Sequence, residues 1–182
     1  VCQPVTLSLD ITGNASLSSP VDLDGGSTDN CALSTALFTA SQSAFDCSDL
    51  GANNVTLTVF DVSGNSSTCT SVVTVQDLIA PIANCQPFTV VLNASGNASI
   101  TAANVNNGSS DNCSIASVTV SPSTFTCANV GPNNVTLTVT DASGNTSTCV
   151  AVVTVQDNTV PVVSCPANIS QNAILNNCGK IV

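Results

Sequence analysis

The sequence predicts an all-β chain built of disulfide-stapled, two-layer sandwiches in tandem. Three observations carry that expectation: apolar and polar residues alternate with period 2, a long block of text recurs 80 residues downstream, and 182 residues hold ten cysteines. Alternation of period 2 places one face of a strand in a core and the other in water. A fixed internal offset is the signature of a modular array. So many cysteines point to an oxidising compartment.

The composition agrees. All eleven acidic residues are aspartates, Lys180 is the only basic residue, and His, Tyr, Trp and Met are absent. Long helix-forming side chains are scarce while Val, Thr, Ser and Asn abound, which is a strand-and-turn composition. The formal charge of −10 argues against nucleic acid and anionic membrane surfaces, because there are no cations to neutralise phosphate. No apolar run approaches the ~20 residues of a membrane span. General acid–base catalysis would need His, a tuned Lys or paired carboxylates in a cleft, and a Ser or Cys nucleophile would have no base, so no catalytic residue is assigned. The start at Val1, without Met or signal peptide, reads as a processed protein or an excerpt of a longer one.

The strands follow in order. Val5–Leu9, Val55–Val59 and Val135–Val139 alternate apolar and polar, as do the shorter Val73–Val75 and Val153–Val155. Asp61-Val-Ser-Gly-Asn65 and Asp141-Ala-Ser-Gly-Asn145 fall between two such runs and read as hairpin connections, with Gly supplying positive φ. About seven short strands per unit, with turns every 8–12 residues, predict immunoglobulin-like antiparallel β-sandwiches, without the Cys…Trp…Cys spacing of antibody domains. Ser48–Cys85 and Ala128–Cys165 share 23 of 38 residues, and Asp29-Asn-Cys31 matches Asp111-Asn-Cys113. The expected units are residues 1–84 and 85–164, joined by stiff segments at Ala80-Pro81 and Val160-Pro161. Residues 165–182 open a third unit or form an assembly stub; its two strands alone could not bury an apolar face. They would lead on covalently or add to a neighbour's sheet edge.

Four cysteines per unit allow three pairings. Placing the Asp-Asn-Cys loop and the Ser-Thr-Cys hairpin at one pole pairs Cys31 with Cys69 and Cys113 with Cys149. Cys2 then joins Cys47, Cys85 joins Cys127, and Cys165 joins Cys178. A rival scheme staples neighbouring units through Cys47–Cys85 and Cys127–Cys165. Zinc is excluded by the lack of His and of any Cys-x2-Cys pair.

Ten Asn-x-Ser/Thr sequons occur: Asn14, Asn54, Asn65, Asn93, Asn97, Asn107, Asn112, Asn134, Asn145 and Asn168. Asn14, Asn65, Asn97 and Asn145 share Gly-Asn-x-Ser in expected turns, where a covalently attached glycan would be exposed. Asn112, beside Cys113, is the poorer acceptor. The same residues also serve as turn formers without any glycan. Asp22, Asp24 and Asp29 around Gly25 resemble a calcium-loop fragment. Unit 2 has Asn104, Asn106 and Asn107 there, so the stretch reads rather as a polar loop of Asx turns, and no cofactor other than calcium comes into question. The Gln-Asp77 and Gln-Asp157-Asn158 links resemble cadherin-type linkers over a very short match.

The blocks Asp-Asn-Cys, Thr-Val-x-Asp-x-Ser-Gly-Asn-x-Ser-Thr-Cys, Val-Thr-Val-Gln-Asp and Cys165-Pro-Ala-Asn-Ile169 resemble hyalin repeats, most of all those of large secreted surface proteins of Bacteroidetes-type bacteria. The resemblance spans the whole chain. It implies an immunoglobulin-like fold, adhesion or extracellular fibres, and no catalytic residues. The expected function is an extracellular or cell-surface, glycosylated fibre, stalk or filament that self-associates head to tail. The alternative is an adhesin or glycan-binding module, calcium-dependent in one form. Against it stands the absence of Trp and Tyr for sugar stacking.

Overall fold

The structure is a computed structural model and describes residues 1–164. The expectations placed on the 165–182 stub, on Cys165 and Cys178, and on Asn168 lie outside the described residues. In the first unit the strands are β1 (Val5–Ser8), β2 (Asn14–Ser16), β3 (Thr39–Ala40), β4 (Ala44–Asp46), β5 (Gly51–Phe60) and β6 (Ser66–Gln76). In the second they are β7 (Phe88–Val91), β8 (Asn97–Ser99), β9 (Ile115–Ser121), β10 (Thr124–Thr126), β11 (Gly131–Asp141) and β12 (Thr146–Gln156). A single helical turn, α1 (Ala102–Val105), precedes β9, where the first unit has the 3-10 turn Pro20–Leu23.

Each unit stacks a four-stranded sheet on a two-stranded one: β1-β6-β5-β3 over β2-β4, and β7-β12-β11-β9 over β8-β10. The long hairpins dominate. Phe60 pairs with Ser66 and Thr140 with Thr146, so Asp61–Asn65 and Asp141–Asn145 are the turns between them, as the sequence predicts. Gly64 and Gly144 hold φ of 89° and 92°, a conformation that costs a side-chain-bearing residue its Cβ clearance.

The alternation works out as expected. Val55, Leu57, Val73 and Val75 face inward against Phe45, and Val135, Leu137, Val153 and Val155 against Phe125, with nearly no exposure. Leu23 and Val105 close the same end of each core. One feature departs from a purely antiparallel sandwich. The first strand of each unit runs parallel to the last, Val5 opposite Val73 and Phe88 opposite Val153. The first strand therefore needs a crossover before the chain returns beside it, which the intervening strands provide.

That register decides the disulfides and overturns the expected pairing. Followed three residues back from Val5, the parallel ladder puts Cys2 opposite Thr70, next to Cys69. The same step from Phe88 puts Cys85 opposite Val150, next to Cys149. The bridges are Cys2–Cys69 and Cys85–Cys149, with Cα–Cα distances of 5.9 and 6.0 Å. Cys31 and Cys113 therefore do not reach Cys69 and Cys149. Cys47 cannot reach Cys2 either. It precedes Gly51, which pairs with Val75, whereas Cys69 pairs with Leu57; six residues of strand is about 20 Å, far beyond disulfide reach. Cys85 and Cys127 are separated in the same way. The rival Cys47–Cys85 staple is also incorrect, although its premise of a bond between units is right: Cys47 bonds Cys113 of the second unit. Among the described residues, Cys31 and Cys127 carry no bridge and are exposed.

Candidate metal centre at the joint between units

The Cys47–Cys113 bond, Cα–Cα 5.5 Å, marks a joint at which three loops meet. From the first unit comes Asp77, directly after β6. From the second come the Asp111-Asn112-Cys113 loop before β9 and the β11–β12 turn with Asp141 and Asn145. Cys113 also packs against the core of the first unit. Gly13, in the turn before β2, is buried against this bond. A Cβ on Gly13 would stand 2.7 Å from both Cys47 Sγ and the Asn112 carbonyl oxygen, so only glycine fits.

Each carboxylate is held by its own loop. Asp77 Oδ1 accepts from the Ile79 amide at 3.1 Å and from Asn112 Nδ2 at 3.2 Å. Asp111 Oδ2 accepts from the Cys113 amide at 3.0 Å. Asp141, at a register break in β11, accepts from the Asn145 amide and from Asn145 Nδ2, both at 2.8 Å. Asn145 Nδ2 also donates to the Asp77 and Ile79 carbonyls at 3.1 and 3.3 Å, tying the second unit to the link.

These constraints bring one carboxylate oxygen of each of Asp77, Asp111 and Asp141 within 4.8 Å of the others. Asp77 and Asp141 are 5 % and 2 % exposed. Asp77 Oδ2, Asp111 Oδ1 and Asn112 Oδ1 are buried and have no hydrogen-bond partner. Unpartnered buried oxygens are rare and call for an explanation. Two carboxylates at that separation repel by roughly 3 kcal/mol at an effective dielectric of about 20. The sequence has one basic side chain, Lys180, which lies outside the described residues. A hard divalent cation answers both observations. Calcium takes six to eight oxygens at about 2.4 Å, so oxygens on opposite sides of the ion stand about 4.8 Å apart. The donor set is oxygen only and fits calcium or magnesium rather than zinc.

The structure does not bring Asp22, Asp24 and Asp29 together as a calcium loop. Asp22 Oδ2 accepts from the Ser18 hydroxyl and the Ser19 amide, both at 2.9 Å, as the cap of the Pro20–Leu23 turn. Asp24 Oδ1 accepts from the Ser27 amide and hydroxyl at 2.9 and 2.6 Å; the hydroxyl contact, above all, holds its carboxyl below the usual aspartate value. Asp29 accepts from the Cys31 amide at 2.9 Å. These are turn-forming bonds, the polar-loop reading of the stretch. The actual cluster had a signal in the sequence. Unit 2 retains three aspartates, Asp111, Asp141 and Asp157, and each matches one in unit 1, Asp29, Asp61 and Asp77. Every other acidic position differs between the units.

Of the four Gly-Asn-x-Ser sequons, Asn14, Asn65 and Asn97 have exposed side chains, whereas Asn145 is half-buried. Its Nδ2, the atom a glycan would take, is committed to the joint, as is Asn112 Nδ2 through Asp77 and the Asp10 carbonyl at 3.3 Å. Asn145 thus leaves the group of favoured acceptors.

No protein-family model and no curated protein matches the chain. Among solved structures, it is similar to human protocadherin-24 EC1-2, at 17 % identity and TM-score 0.42, over 86 % of this chain and 95 % of that one. It is also similar to human mucin-like protocadherin EC1-2, at 16 % identity and TM-score 0.40, over 85 % and 95 %. A third is the fibronectin(III)-like modules of Clostridium thermocellum CbhA, at 12 % identity and TM-score 0.34, over 91 % and 96 %. At these values the fold assignment stands on the strands and sheets themselves.

Proposed function

We propose that this chain is a tension-bearing segment of an extracellular structural or adhesive protein, its two sandwiches locked into one rigid rod by a disulfide and a divalent cation. The observation that carries this reading is the joint. A covalent bond, a carboxylate cluster and two shared asparagine side chains all sit at the boundary between the units, where a flexible linker would otherwise be expected. Within each unit a further bridge ties the first strand to the last. Disulfides at this density belong to oxidising compartments. Among the described residues no helix is long and apolar enough to cross a membrane.

The reading is structural rather than catalytic, because the one cluster of acidic groups found among the described residues consists of aspartates held by their own turns. The hyalin-repeat resemblance agrees with it, and glycans on the exposed Asn14 and Asn97 side chains would cover a surface poor in charge.

The test is calcium titration followed by calorimetry and small-angle scattering. Calcium should bind at the joint, raise the unfolding temperature and narrow the distribution of end-to-end lengths, and Asp111→Asn should weaken all three effects. A chain that bends freely at residues 77–84 with and without calcium would refute the rigid-rod reading.

A further inference from the structure

The two ends of the described chain carry the two separated halves of the same joint. At the far end of β12, Cys127, Gly96 and Asp157 occupy the positions of Cys47, Gly13 and Asp77. At the hairpin end of the first unit, Asp29, Cys31 and Asp61 occupy those of Asp111, Cys113 and Asp141. The ends are opposite. Cys47 lies at the Gly51 end of β5 and Cys31 beside its other end, where Leu33 pairs with Asp61; ten residues of strand is about 33 Å.

Both halves are already shaped as in the joint. Asp29 Oδ2 accepts from the Cys31 amide at 2.9 Å, as Asp111 does from Cys113 at 3.0 Å. Asp61 accepts from the Asn65 amide and Nδ2 at 2.8 and 2.6 Å, as Asp141 does from Asn145. A Cβ on Gly96 would stand 2.7 Å from Cys127 Sγ, the same clearance that Gly13 leaves for Cys47. What differs is cover. Asp141, Val139 and Asp77 are buried in the joint, while Asp61 and Val59 are half-buried and Asp157 is exposed. Among the described residues, the surface that unit 2 covers on unit 1 has an uncovered counterpart on unit 2. The surface of unit 2 used for that covering has its own uncovered counterpart on unit 1.

We propose that a second copy of this chain docks head to tail on these ends, with Cys127 of one copy bonding Cys31 of the next and Asp157 completing the Asp29–Asp61 carboxylate cluster. The partner is argued from complementarity shown within this molecule: Cys47–Cys113 is that contact already made. Bond formation joins two thiols, releases two protons and passes two electrons to an external disulfide, which leaves as two thiols by exchange. The contact is heterologous and does not close on itself, so it propagates a filament. Asn65 would then be half-buried as Asn145 is, and a glycan there would block addition at that end.

The proposal rests on the joint reading above, and the experiment separates the two. The full 182-residue chain, refolded at high concentration with glutathione disulfide and calcium, is run on a non-reducing gel and mapped with Asp-directed and peptic cleavage. Expected are a ladder in 18.1 kDa steps that dithiothreitol collapses, and a crosslinked peptide pair holding Cys127 and Cys31. Cys31→Ser and Cys127→Ser should each reduce the ladder more than tenfold, and the two variants mixed should give a covalent dimer and nothing larger. A Cys127 bonded to Cys165 or Cys178 of its own chain, a ladder that survives both single variants, or both cysteines remaining thiols would overturn the proposal. The Cys47–Cys113 peptide, read in the same map, reports on the joint itself: its absence would sink the joint reading, whatever the ladder shows.

Discussion

Removing the staple between the units tests how much of the chain's cooperativity resides in the joint. In Cys47→Ser/Cys113→Ser the bond closing a loop across 66 residues of sequence separation is lost. On the chain-entropy model a loop of that size restricts the unfolded chain by about 4 kcal/mol at 25 °C. For a chain of this size that corresponds to an unfolding temperature lower by about 10 °C. The loop spans both cores, so its loss should also uncouple them, turning one transition into two. The chain has no Trp or Tyr, so the assay is differential calorimetry with circular dichroism in urea rather than intrinsic fluorescence. The control is Cys85→Ser/Cys149→Ser, whose bridge lies inside one unit: it should lower the second unit's stability without separating it further from the first. A joint variant with a single transition and a loss under about 1 kcal/mol would show that the loop-closure reasoning fails here and that noncovalent contacts alone couple the units.

Truncating the inner faces should be costly: Phe125→Ala, at 2 % exposure, should destabilise unit 2 by about 3–5 kcal/mol in urea denaturation. Chelator should lower the unfolding temperature of the wild type but leave Asp77→Asn/Asp141→Asn nearly unmoved, which calorimetry with and without calcium checks. Hydrogen bonds from Thr12, Ser48 and Asn65 side chains hold Asp10, Asp46 and Asp61 below the ordinary aspartate value of 3.8. A carboxyl depressed by folding adds stability above the unfolded value and loses it as pH falls through the folded one, so melting temperature should hold from pH 7 to about 5 and drop below about 4, most simply followed by circular dichroism. Peptide mapping of material from its native source should find sugar on Asn14 and Asn97 and none on Asn112 or Asn145.

Strand identity was legible because alternation and the repeat reinforce each other: Val55-Thr-Leu-Thr-Val59 and Val135-Thr-Leu-Thr-Val139 say the same thing twice. The hairpin turns were legible because Asp-x-Ser-Gly-Asn can do little else. The bridges were not, because pairing depends on which strands neighbour each other and in which direction. A parallel first strand moves Cys2 to Cys69, and no local pattern in Val5–Leu9 encodes that direction. The carboxylate cluster was hidden for a related reason. Asp77, Asp111 and Asp141 are far apart in sequence and each reads as an ordinary turn residue. Their common purpose shows only when the units are stacked, or when the aspartates the second unit keeps are compared with those it drops.

The parallel pairing of first and last strands sets how the chain responds to a pull on its ends. Without the Cys2–Cys69 bond, tension drawn through Cys2 and past Gln76 would act along β1 and β6 in opposite senses, shearing their rungs together instead of peeling them apart one by one; the bond removes even that load. The Cys2–Cys69 bond then carries force straight from the entry strand to the exit strand, and the residues between them bear none. Cys85–Cys149 does the same in the second unit. The load path through the oxidised molecule therefore reduces to the short stretches 69–85 and 149–157, and each sandwich hangs beside a nearly inextensible thread. Reduction would lengthen the tether by releasing the bypassed residues, making redox state a control on contour length.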